Sequence, residues 1–155
     1  MNKKNLSLIL FLALVPFLLV VDMVSKVLTD GKSFNVIPNL LSFKSVYNHG
    51  VAFGWLSGGG AWLIIITSML TTLSLVAWWF YGRKNIFASI SFALFIAGAI
   101  GNLVDRIIYG HVRDFIVLDF WQSFAIFNFA DICLTIGTAM LMGYYLVVSW
   151  KSEKK

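Results

Sequence analysis

Four long apolar runs, at roughly residues 6–28, 61–81, 86–108 and 124–149, dictate what this chain can fold into. A helix needs about 20 apolar residues to cross a hydrocarbon core of about 30 Å, and each run is long enough. In that medium a helix satisfies its own backbone polar groups, which an isolated strand cannot do. Hydrophobic residues make up 59% of the 155 positions and charged residues only 12%. That balance lies far from the soluble norm, so lipid must solvate most of the surface. The sequence therefore predicts an all-α integral membrane fold, a four-transmembrane-helix bundle forming one domain over 1–155. The first run has the basic head and apolar middle of a secretory signal. It lacks a small-residue cleavage site and can span, so it is expected to be a retained helix.

Charge sets the orientation. Lys3, Lys4, Arg83, Lys84, Lys151, Lys154 and Lys155 fall at the start, in the 82–85 turn and at the end. Four spans put those places on one side, cytoplasmic by the positive-inside rule. Asp22, Asp30, Asp105, Asp114, Asp119 and Asp131 fall at or near the other side. The net charge of +5 is thus an asymmetry across the membrane and gives no case for nucleic-acid binding.

The extracytoplasmic segments are expected at about 29–60 and 109–123. Alternation at Leu41, Phe43, Ser45 and Tyr47 predicts a half-buried strand, and "GHVRDFIVLDF" is rich in β-branched and aromatic residues. Together they predict a small sheet on the bundle. The glycines of "YNHGVAFG" and "SGGG", including Gly58 and Gly59, suggest a mobile segment near 48–60 that closes over a ligand.

Ionisable groups at membrane depth are costly, so each is a functional candidate. Asp22 and Lys26 are spaced to pair on one helical face, which favours an anchoring role at the interface. Ala93, Ala97 and Gly101 recur every four residues and permit close helix packing. Asn102, Asp105 and Arg106 can form a local polar cluster on the same helix. Asn128 and Asp131 are three apart on one face of the last run, where an unpaired carboxylate would be expensive. Asp131 therefore needs a partner, and Asp105 and Asp114 are the candidates. Two close carboxylates share a proton. Such a pair can activate water with one member and polarise a scissile carbonyl with the other.

Cys133 is the sole cysteine and reads as a small apolar helix residue. His49 and His111 form no zinc motif, so no metal site is expected. A proton-coupled transporter would need ionisable groups through the midplane, yet the second run has none between Ala61 and Tyr81. A non-catalytic assembly protein using the Ala/Gly faces is the remaining alternative.

In "DMVSK" at 22–26, "NHGVAFG" at 48–54, "GNLVDR" at 101–106, "VRDFI" at 112–116 and "FNFAD" at 127–131, the chain resembles the bacterial lipoprotein signal peptidases, also called signal peptidase II. The resemblance spans nearly the whole length, in order. It implies that Asp114 and Asp131 are the catalytic aspartates. It further implies that Asn48, Gly50, Asn102, Arg106 and Asn128 line the site or bind substrate, while Asp22, Lys26 and Asp105 support the architecture. The implied substrate is a diacylglyceryl-modified prolipoprotein reached through membrane lipids and cut on the amino side of its lipidated cysteine. No cofactor is implied, and globomycin is the implied inhibitor. The implied location is the bacterial cytoplasmic membrane, with both termini cytoplasmic and the site near the outer face. Arg113 and Ala97 depart from the family pattern, where an apolar residue and glycine are expected.

Overall fold

The computed structural model of the protein describes residues 2–50, 60–121 and 123–154. Four helices carry the bundle: α1 (Lys3–Thr29), α2 (Gly60–Phe80), α3 (Ile86–Tyr109) and α4 (Phe129–Glu153). All four are long and apolar enough to cross a membrane. A short 3-10 turn at Gly82–Lys84 joins α2 to α3. Three strands, β1 (Ser33–Ile37), β2 (Leu41–Asn48) and β3 (Val112–Leu118), form an antiparallel sheet in that order. The bundle and the small sheet are those predicted from the sequence. The expected lid falls largely on residues 51–59, outside the described residues.

Helix α3 is the centre of the bundle, packed against α4, α1 and α2. The stripe of small residues explains this position. Ala93 and Ala97 are buried among Phe11, Leu18, Ile96 and Cys133. A Cβ on Gly137 of α4 would sit 2.6 Å from the Phe95 backbone nitrogen, so only glycine allows that approach. Toward the basic end, Phe11 stacks on Trp78 at 3.7 Å, and Trp78 Nε1 donates to Ser89 Oγ at 2.9 Å. The outward faces keep Leu12, Val27, Ile65, Leu73, Met142 and Leu146 exposed. In a membrane protein these side chains meet acyl chains, so their exposure carries no penalty.

Helix α3 ends where the sequence can turn. Gly110 takes a left-handed φ of 75° and its N–H donates to the Arg106 carbonyl at 3.1 Å, a glycine cap that sends the chain directly into β3.

Two expectations need correction. The last helix begins at Phe129, not near 124. Residues 126–127 instead run along β3, where Phe127 exchanges backbone hydrogen bonds with Ile116 at 2.8 and 3.2 Å. Asn128 is consequently the N-cap of α4 and not a residue on its face. The alternation in β2 is also broken, for Tyr47 is half exposed while Val46 and Asn48 turn inward. A bulge causes this: Phe43 pairs with Ile116 but Val46 pairs with Asp114, so two β2 residues oppose one on β3. The extra residue reverses which side chains face the bundle beyond it.

Candidate active site

At the sheet end of the bundle the backbone brings Asp114 and Asp131 to one cavity of about 450 Å³. Asn48 shares its polar wall, and Leu118, Phe124, Ile126, Ile132 and Ile136 are among its apolar lining. Each aspartate oxygen accepts a separate N–H. Asp114 Oδ1 accepts from Asn128 Nδ2 at 2.7 Å and Oδ2 from Asn48 Nδ2 at 3.0 Å. Asp131 Oδ1 accepts from Asn102 Nδ2 at 2.7 Å and Oδ2 from the Asn128 backbone N–H at 3.0 Å. Asn128 thus bridges both carboxylates, through its side chain to one and its main chain to the other.

Local sequence explains that bridge. Asn128 and Asp131 form a reciprocal capping box, with Asp131 N–H donating to Asn128 Oδ1 at 3.0 Å. The motif that starts α4 therefore also fixes the Asp131 carboxylate. Asn48 reaches Asp114 because of the β2 bulge; in continued register it would lie on the opposite face. The Gly50 N–H holds Asn48 Oδ1 at 3.1 Å, leaving Nδ2 to face Asp114.

Behind the aspartates lies a buried ionic layer. Lys26 is fully buried, with Nζ 2.8 Å from Asp22 Oδ2, 3.4 Å from Asp105 Oδ2 and 3.3 Å from Asn102 Oδ1. The other Asp22 oxygen accepts the Ala130 N–H at 2.9 Å and so ties α1 to the start of α4. Gly101 admits this contact, since a Cβ there would sit 2.5 Å from Asp22 Oδ2. The pair expected to anchor α1 at the interface is instead an internal strut, because α3 and α4 close over it.

The expected cluster on α3 divides. Arg106 Nη1 donates to the Asn102 carbonyl at 3.4 Å and lies in the field of Asp131 and Asp114. Asp105 turns away and ion-pairs with Arg113 at 2.8 Å as well as with Lys26. Asp105 is thus paired in the supporting layer, and Asp114 opens into the cavity with Asp131. Asp30 and Asp119 serve the sheet, accepting from Tyr47 Oη at 2.9 Å and Ser42 Oγ at 2.7 Å.

Burial pushes the Asp114 carboxyl up from 3.8 to about 6. The hydrogen bonds from Asn48 and Asn128 oppose that rise, and the nearby Asp131 charge adds to it. Among the described residues no group of three His, Cys, Asp or Glu side chains is arranged to hold a metal.

Sequence reasoning missed the part played by Arg113, whose only signal was a cation within an apolar strand. It also missed the cavity wall from Phe124 to Phe127, which had been assigned to helix.

Two solved bacterial membrane enzyme structures share this architecture. One superposes with a TM-score of 0.82 at 33% identity, covering 94% of this chain and 91% of its own. The other gives 0.81 at 34% identity, covering 88% and 92%. Fold and site together define an integral membrane enzyme. Residues 14–147 match the family model described as signal peptidase (SPase) II. A lipoprotein signal peptidase of Pseudomonas fluorescens is 40% identical over 143 residues, 84% of each chain. One from Brucella ovis is 39% identical over 129 residues, covering 80% of this chain and 78% of the relative. The chain belongs to the signal peptidase II family.

Proposed function

We propose that the protein removes signal peptides from prolipoproteins as an aspartic endopeptidase, with Asp114 and Asp131 as the reacting pair. The observation that carries this reading is the opening of both carboxylates into one largely apolar cavity, each oriented by asparagine amides.

In this mechanism a water sits between the carboxylates. Asp131 takes a proton from it as its oxygen attacks the scissile carbonyl. Asp114, which burial favours in its protonated form, donates a hydrogen bond and then its proton to the carbonyl oxygen. As the tetrahedral intermediate collapses, Asp131 returns its proton to the departing amine and Asp114 regains one from the hydroxyl. No covalent enzyme intermediate forms. Asn102 and Asn128 keep the carboxylates aimed, Asn48 supports Asp114, and the Arg106 charge offsets the negative charge of the site. The apolar walls exclude bulk water and strengthen these interactions.

The substrate class follows from the family and from access. A prolipoprotein whose cysteine carries a diacylglyceryl group can approach laterally through lipid, and cleavage on the amino side of that cysteine places the scissile bond at the outer interface. The basic residues at both termini and in the 82–85 turn support cytoplasmic termini in the bacterial cytoplasmic membrane. A globomycin-type cyclic peptide is the inhibitor that the family resemblance implies.

The decisive experiment incubates purified full-length protein with a diacylglyceryl-modified prolipoprotein and with its unmodified form in detergent. Cleavage of the modified form, blocked by globomycin and unaffected by EDTA, is the expected result. Failure to cleave it, or loss of activity with EDTA and recovery with zinc, would overturn the reading.

A further inference from the structure

Arg113 sits in β3 directly before Asp114 and is only 7% exposed. A cation at such a position is expensive unless it is paired and its donors are satisfied. Here the pairing is extensive. The Arg113 backbone N–H and Nε both donate to Asp105 Oδ2, at 3.0 and 3.3 Å, and Nη2 donates to Oδ1 at 2.8 Å. One carboxylate on α3 therefore grips both main chain and side chain of one strand residue. The guanidinium also lies over the Tyr109 ring at 4.4 Å, which limits its swing. The strand can neither slide nor roll on α3 without breaking this grip, and Asp114 is the next residue.

A second route leads to Asp131. The buried layer holds two carboxylates, Asp22 and Asp105, and Lys26 lies within ion-pair distance of both. Arg113 supplies the matching second cation. With Asp105 satisfied by the guanidinium, Lys26 stays closer to Asp22, at 2.8 Å, than to Asp105, at 3.4 Å, and retains its contact to Asn102 Oδ1 at 3.3 Å. That contact turns the other end of the amide, Nδ2, onto Asp131 at 2.7 Å.

We propose that Arg113 is a positioning residue for both carboxylates. Through Asp105 it fixes the strand bearing Asp114, and by neutralising Asp105 it leaves Lys26 to orient Asn102 toward Asp131. The inference rests on the assignment of Asp114 and Asp131 as the reacting pair.

The test compares full-length wild type, Arg113→Val and Arg113→Lys in detergent. It measures kcat and KM on a diacylglyceryl-modified prolipoprotein and hydrogen exchange across residues 112–118. Valine keeps the backbone bond to Asp105 and loses the fork. It should lower kcat roughly tenfold or more with KM within about twofold, as expected when reacting groups are misplaced, and speed exchange in β3. Lysine restores charge without the planar fork and should recover part of that loss. Wild-type kcat in folded Arg113→Val would overturn the proposal. So would a loss of activity that merely tracks a smaller folded fraction. If the valine variant does not fold, Arg113→Lys decides: reduced kcat at unchanged KM supports positioning, and wild-type kcat overturns it. If wild type itself fails to cleave, the functional reading falls and the positioning role falls with it; if wild type cleaves, unchanged exchange at 112–118 in Arg113→Val sinks the positioning role alone.

Discussion

Asn128 Nδ2 donates to Asn102 Oδ1 at 3.0 Å, so the two amides fix one another's orientation. Since that oxygen also receives Lys26 Nζ at 3.3 Å, Asn102 must turn its nitrogen toward Asp131. The remaining proton of Asn128 Nδ2 points to Asp114 at 2.7 Å. Both carboxylates consequently face donors, and flipping either amide would put oxygen against oxygen and forfeit several bonds.

Asp114→Asn and Asp131→Asn should each reduce cleavage of a diacylglyceryl-modified prolipoprotein by at least about 10³-fold, with the double variant no worse than either, as for residues acting as a unit. Both should remain folded by thermal melting. Near-normal turnover in either folded single variant would remove that aspartate from the reacting pair.

Asp114 also makes stability depend on pH. Its folded-state pKa of about 6 lies above the ordinary 3.8, so its favourable state is fully populated below about 4 and is lost as pH rises through 6. Between pH 4 and 7 this costs the wild type at most about 3 kcal/mol relative to a group that does not titrate. The difference between the melting profiles of wild type and Asp114→Asn should open across that window, and parallel profiles would contradict it. In activity, the basic limb of kcat/KM should begin near pH 6 and belong to the pair.

Removing the bridge should damage stability and catalysis together. Asn128 is fully buried, caps α4 and donates to Asp114 and Asn102. Asn128→Ala should cost about 2–4 kcal/mol, combining a lost cap of about 1 kcal/mol with unsatisfied buried groups. It should lower kcat by about 10²-fold, at the scale of other misplaced reacting groups. Denaturant melts and kinetics on the folded fraction check both.

The ionic layer should fail differently. Asp105→Asn or Asp22→Asn leaves a buried cation short of its partner and should destabilise the fold by about 3–5 kcal/mol. The surviving folded fraction should retain measurable turnover. A well-folded, inactive Asp105→Asn alongside an active Asp114→Asn would reassign the pair to Asp105 and Asp131.

Residue spacing showed that Asp131 needs a partner but left Asp105 and Asp114 open, a choice made only by the family resemblance, and what the sequence hid has physical causes. The four spans announce themselves because lipid demands long apolar runs. Asp131 stood out because it had to be paired. The start of α4 was misplaced because "FAIFN" is as apolar as a helix, whereas its backbone pairs with β3, a contact visible only once the strand is in position. The β2 bulge was hidden because Lys44, Ser45 and Val46 give no marked turn signal. Arg113 looked anomalous within its strand, and its partner Asp105 belongs to another element.

The strut between Asp22 and Ala130 has a consequence for biogenesis. Asp22 is made early and the amide it holds is among the last to enter the membrane. Until then Lys26, one helical turn away, can neutralise Asp22 within α1, so the first helix can insert as a self-balanced unit. Asn128 and Asp131 arrive with the final helix. On the proposed assignment of Asp114 and Asp131, the newborn chain gains the power to cut peptide bonds only once its last helix has closed the bundle around them.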